Sequence, residues 1–227
     1  MPSQTSLHAP SSTAPLSRYL ALGAVIGPIL FTLAWVVLGV LQPPTLNMYG
    51  VMGGISGAIS NPISGLGVGP QAQLFNAAFI LCGLLTAIGI AGVFSAFGTV
   101  RRPVSRWLSM VLLALSPLGL AMAGIYTLAV SIPLHMVAAA LLFLTPVVSF
   151  VVAGLFLRNI PDWRRLGTCL IIGSPLTLLL FVLYAMTFNQ AGVAAGEGIA
   201  GLTERILMLE VSFWYVAMSW KAFTRSN

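Results

Sequence analysis

The sequence predicts an all-α integral membrane protein, a bundle of six transmembrane helices with both termini in the cytoplasm. Three observations carry this expectation. First, 58% of the 227 residues are hydrophobic and only 6% are charged, and the mean hydropathy is +1.00; a soluble domain carries about a quarter charged residues. Four acidic and ten basic side chains are too few to clothe a water-facing surface of this size, so lipid must cover it. Second, the apolar residues fall into six runs, each near the roughly 20 residues that span about 30 Å of hydrocarbon. Third, the basic residues cluster in alternate connections between those runs, and so on one side of the membrane, which is the positive-inside pattern. A net charge of +6 in a polar chain would point to nucleic acid; clusters bounded by apolar runs do not.

The elements follow in order. Residues 1–18 are rich in Ser, Thr, Pro and Ala without a hydrophobic period, the composition of a disordered cytoplasmic tail. The run 19–41 carries no charge and is too long for a signal-peptide core, so it reads as a retained helix. Further helices are expected at about 73–97, 107–128, 134–157, 166–188 and 203–223, with 224–227 as a short cytoplasmic tail. Arg18, Arg101, Arg102, Arg106, Arg158, Arg164, Arg165, Lys221 and Arg225 then share one side of the membrane, and Arg205 alone lies on the other. Nine arginines against a single lysine fit a GC-rich bacterial genome. The expected location is therefore the plasma (inner) membrane of a bacterium.

Proline interrupts four of these helices, at Pro28, Pro117, Pro146 and Pro175, each after a small or hydroxylated residue. Two readings stay open: kinks that splay the helices around a cavity, or the ordinary tolerance of membrane helices for proline. Small residues at helical spacing, Gly23 with Gly27 and Gly119 with Ala123, mark close helix packing. Cys82 and Cys169 lie inside apolar runs and read as packed small hydrophobes.

The connection 42–72 is long, uncharged and rich in glycine. Loops of that length are usually functional, and the glycines argue against a regular spanning helix. A structured external cap or a partly re-entrant loop is expected. Asn61-Pro62-Ile63-Ser64 is not a glycosylation acceptor, because proline occupies the excluded position.

Polar residues gather at the external helix ends: Asn76, Tyr126, His135, Tyr184, Thr187, Thr203, Glu204 and Arg205, with Glu210 deeper. A carboxylate within the membrane is costly and should face protein or water. Glu204 has a structural explanation, since Thr203 at the helix start can cap it and an acid complements the dipole there. For Arg205 the readings are a pair with Glu204 or Glu210, a bound anion such as a lipid phosphate, or snorkelling to headgroups. His135, the one histidine outside the tail, reads as a proton shuttle or base, or as a hydrogen-bonded packing residue. One histidine and two glutamates give no metal-ligand spacing, and no phosphate-binding glycine loop is present, so no metal or cofactor is expected.

The words Ile59-Ser60-Asn61-Pro62-Ile63-Ser64-Gly65-Leu66-Gly67, Leu74-Phe75-Asn76, Leu134-His135 and Gly201-Leu202-Thr203-Glu204-Arg205 resemble those of the bacterial six-pass family called domain of unknown function 998 (DUF998), over about 20–223. Ser64, Leu66, Gly67, His135 and Arg205 match family positions; Gly65 stands where the family often has an acid. The resemblance implies no activity, but it implies that the first external loop, His135 and Arg205 belong to one site. The resulting expectation is an external-facing pocket between kinked helices that takes a membrane lipid or another amphipathic small molecule. Its expected residues are Asn61, Ser64, Asn76, Tyr126, His135, Glu204, Arg205 and Glu210, with Arg205 on an anionic group. Two other classes stand beside it: a lipid hydrolase or transferase using Ser64 as nucleophile or His135 as base, and an assembly subunit whose loop docks a protein.

Overall fold

The computed structural model describes residues 14–97 and 103–224, with side chains from residue 16 onward. The expected disorder of residues 1–13 and the positions of Arg101, Arg102 and Arg225 lie outside these residues. The chain begins with α1 (Ala14–Ala21) and α2 (Gly23–Trp35), nearly one continuous helix that ends in a π-helical turn at Val36–Val40. A hairpin of β1 (Thr45–Asn47) and β2 (Gly50–Met52), the short helix α3 (Gly54–Ser60) and a 3-10 turn (Ile63–Val68) follow. Then come α4 (Ala72–Ser95), α5 (Pro103–Ile125), α6 (Ile132–Leu157), α7 (Arg164–Thr187), the short α8 (Gln190–Ala195) and α9 (Ala200–Thr224).

Five segments are long and apolar enough to cross a membrane: 16–40, 72–95, 103–125, 132–157 and 161–187. Helix α9 is equally long, but Glu204, Arg205, Glu210 and Lys221 lower its hydropathy. Its start differs from the sequence reading in an informative way. The helix opens at Ala200, so Thr203 lies inside it; the Thr203 hydroxyl bonds back to the Ala200 carbonyl (3.0 Å) and meets the Thr187 hydroxyl (2.7 Å) rather than capping the helix.

Close approach of small residues sets the packing. A Cβ on Gly89 would overlap the backbone of Ala24, and one on Gly27 would meet the Cys82 carbonyl and Thr86, so α2 and α4 touch nearly backbone to backbone. Gly119 does the same against Ala138 and Leu142 across α5 and α6. Phe31, Phe75 and Phe79 fill the space between α2 and α4 with edge-to-face and tilted rings.

The prolines acquire a definite consequence. A proline inside a helix leaves the carbonyl four residues earlier without its N–H. Pro117 frees Leu113, and the Tyr215 hydroxyl of α9 donates to that carbonyl at 2.9 Å. Pro146 frees Leu142, and the Ser116 hydroxyl of α5 donates to it at 2.8 Å. Ser174, just before Pro175, donates to the Val147 carbonyl at 2.6 Å. Each bond joins two helices: the defects at Pro117 and Pro146 become ties among α9, α5 and α6, and Ser174 ties α7 to α6.

At one end of the bundle the Arg18 guanidinium donates twice to the Phe223 carbonyl (3.1 and 2.8 Å), and Lys221 sits 5.6 Å from the centre of the Trp163 ring. At the other end the 42–72 connection forms a structured cap. The Met48-Tyr49 turn pairs Asn47 with Gly50, and Asn47 Oδ1 accepts from the Tyr49 amide at 2.8 Å. Gly50 has φ +107 and packs so closely on α8 that a Cβ would strike the Val193 carbonyl; only glycine fits there.

Candidate functional site

The cap is held by two adjacent residues of α9. Arg205, 5% exposed, directs Nη1 at the carbonyls of Ala58 (2.8 Å) and Asn61 (2.9 Å), and at Gly201 of its own helix (2.9 Å). Ala58 and Asn61 mark the C-terminal end of α3, where helix carbonyls lack partners and positive charge is favourable. Its guanidinium also lies 5.5 Å from the centre of the Trp35 ring. Glu204, 4% exposed, accepts from the backbone amide of Ile63, the first residue of the 3-10 turn, where orphan N–H groups favour an acceptor. Neighbouring charges of opposite sign thus serve opposite ends of two consecutive turns.

Asn61 and Asn76 complete the anchoring. The Asn61 side chain donates to the carbonyls of Tyr49 (3.1 Å) and Val51 (3.2 Å), tying the hairpin to the loop. Asn76 donates to the Gly67 carbonyl at 3.0 Å. Gly65 packs against the Asn61 side chain so closely that a Cβ would collide with Oδ1.

Beneath the cap lies a cavity of about 570 Å³, within the roughly 300–1,000 Å³ of small-molecule sites. Its roof is the hairpin turn, Met48 and Tyr49, with Val193 and Ala194 of α8. The inner wall is Phe31, Phe79, Ala123 and Met208, contributed by four different helices. The outer wall belongs to α6 and α7. Along α6, Met136, Ala140 and Leu144 line the cavity at four-residue intervals, a depth of about 12 Å at 1.5 Å per residue. Tyr184 and Phe188 face them from α7.

Asn61, Ser64, His135 and Glu204 all line this cavity. They arrive from the cap, α6 and α9, so the fold brings together residues far apart in sequence. His135 is 5% exposed, and its Nδ1 lies 2.8 Å from the Tyr126 carbonyl. A carbonyl only accepts, so Nδ1 carries the ring proton in this contact. Ser131 opens α6, its hydroxyl accepting from the Leu134 amide (3.4 Å), and so sets His135 one turn into the helix.

Four other residues take different places. Arg205 and Asn76 are outside the cavity lining, engaged with the cap's carbonyls. Tyr126 supplies its backbone carbonyl to His135. Glu210 sits between α7 and α9, where its carboxylate accepts from Thr177 (3.0 and 2.9 Å) and from the Trp214 indole (2.5 Å). His135, Arg205 and Glu210 therefore have three separate sets of neighbours. Sequence reasoning missed the aromatic wall: Phe31, Phe79 and Phe143 are single aromatics on apolar helices, which carry no periodic mark, and Tyr49 is placed by the hairpin turn.

Apolar helices of spanning length around a polar-capped core define a multi-pass integral membrane protein. The chain belongs to the family described as protein of unknown function (DUF998), whose model matches residues 25–221. No curated protein and no solved structure matches it.

Proposed function

We propose that this chain crosses a bacterial plasma membrane six times, with both termini in the cytoplasm, and binds an amphipathic small molecule in the cavity beneath the external cap. The observation that carries the binding role is the cavity itself: an apolar chamber about 12 Å deep along α6 whose polar residues include Asn61, Ser64, His135 and Glu204, from the cap, α6 and α9. That layout suits a ligand with a polar head at the cap and an apolar body below it. Helix α9 serves as the sixth span because its membrane-buried charged side chains are engaged within the protein. Arg205 and Glu204 bind the cap backbone, and Glu210 binds Thr177 and Trp214, which removes most of the cost of charge in lipid.

The test is native mass spectrometry of protein purified in a non-ionic detergent, with Ala139→Trp as the variant that fills the lined volume. The wild type should retain a co-purified amphiphile and the variant should lose it at unchanged helicity. Equal retention by both proteins, or no retained molecule in the wild type, rejects the binding role.

The Ser64 and His135 pair also supports a hydrolytic reading, since both line the cavity. Turnover of a lipid panel that disappears in both Ser64→Ala and His135→Ala is its requirement.

A further inference from the structure

The cavity's charge selects its ligand. Among the described residues no lysine or arginine lines it. Arg205 lies outside the lining, with Nη1 turned to three carbonyls, its guanidinium over the Trp35 face and Nε buried without a partner. Glu204 does line it, as does Tyr184. A carboxylate offers about four lone-pair sites, and the Ile63 amide uses one of them. Acceptor capacity therefore remains on a buried carboxyl group at the edge of an apolar chamber.

Aromatic rings surround the same space. Phe31 and Phe79 stand edge to face at 4.8 Å between centroids, and Phe143 and Tyr184 lie 6.0 Å apart on the α6 and α7 side. Ring faces carry partial negative charge and attract cations, most strongly where water is excluded. An anionic head would meet Glu204 and the aromatic rings with no lysine or arginine in the lining to pair it, at the cost of a buried unpaired charge. A cationic head would meet attraction from both.

We propose that the ligand of this cavity is a lipophilic monovalent cation, an ammonium or phosphonium carrying apolar substituents, with Glu204 as counter-ion and the Phe31, Phe79, Phe143 and Tyr184 rings as its cage. This rests on the binding role proposed above and narrows it to one charge class. It also assigns Glu204 two roles, holding the Ile63 amide and neutralising the ligand.

Two probes of matched shape and opposite charge, tetraphenylphosphonium and tetraphenylborate, separate the ideas. Equilibrium dialysis against purified full-length protein in non-ionic detergent should show saturable phosphonium binding, with the borate at least about tenfold weaker. Glu204→Gln keeps an acceptor for the Ile63 amide and should weaken phosphonium binding by about tenfold or more. Borate binding equal to phosphonium binding overturns the charge assignment while leaving the cavity as a binding site. Unchanged phosphonium affinity in a folded Glu204→Gln does the same. The comparison of the two ions on the unaltered protein stands even where the variant fails to fold. Saturable binding of neither ion, together with no co-purified amphiphile, rejects the binding role itself.

Discussion

The Arg205 guanidinium and the Asn61 carbonyl, 144 positions apart in sequence, meet at 2.9 Å, and that contact, with its companion at the Ala58 carbonyl, ties the cap to α9. Arg205→Ala leaves the carbonyls of Ala58 and Asn61 buried without a donor. Leaving a buried acceptor unsatisfied costs about 1–3 kcal/mol. The expected result is a lower melting temperature, together with faster hydrogen exchange across 45–68 and unchanged exchange in α5. Uniformly faster exchange would show that Arg205 supports the whole bundle rather than the cap.

Tyr215 and Pro117 should be coupled. Tyr215→Phe removes the donor to the Leu113 carbonyl, at a cost of about 0.6 to 1.7 kcal/mol for a hydrogen bond between membrane helices. Pro117→Ala restores an N–H that can reach the same carbonyl. The penalty of Tyr215→Phe should therefore shrink in the Pro117→Ala background. Additive effects in a double-mutant cycle of unfolding free energies would refute the link.

Glu210 is expected to be structural. Glu210→Leu strips the acceptor from Thr177 and Trp214, leaving the indole N–H unpaired at about 1–3 kcal/mol, while Thr177 keeps the Gly173 carbonyl at 3.3 Å. Glu210→Gln keeps an acceptor and should be milder. The emission of Trp214 reports the difference: the Leu variant should shift it and the Gln variant should leave it close to wild type. Identical spectra for both variants would mean that the indole bond is not formed.

The six-span topology is open to direct test. Met48, 82% exposed at the tip of the hairpin, and Thr224, exposed at the end of α9, lie at opposite ends of the bundle. In a chain with Cys82 and Cys169 replaced by alanine, Met48→Cys should react with a membrane-impermeant maleimide on intact cells. Thr224→Cys should react only after permeabilisation. Labelling of both on intact cells would place an odd number of crossings between them in error.

The helices were legible because each is decided locally. A spanning helix in lipid must satisfy every backbone group within itself and present about 20 apolar residues, so α2, α4, α5, α6 and α7 announce themselves within their own runs, with ends displaced by about one turn. The turn structure of 42–72 was legible only as a structured cap. Its hairpin, α3 and 3-10 turn depend on positive φ at Gly50, Gly53 and Gly54 and on side chains from elsewhere. Of the polar residues singled out from sequence, Asn61, Ser64, His135 and Glu204 share one cavity and Asn76, Tyr126, Arg205 and Glu210 have other partners. Depth along a helix can be counted from sequence; direction around it depends on neighbours.

Apolar composition, run length and charge placement are properties of the chain alone, and by themselves they determined that this is a multi-pass membrane protein with a glycine-rich connection between its first two long helices. The tertiary structure decided what the buried charges do. Glu204 reaches the Ile63 amide across 141 positions, and its neighbour Arg205 reaches the other turn of the same cap. Two residues side by side on one helix point about 100° apart, so one borders the cavity and the other is sealed beneath the cap. Sequence adjacency cannot distinguish them, because the difference arises from which backbone groups the folded loop leaves unpaired.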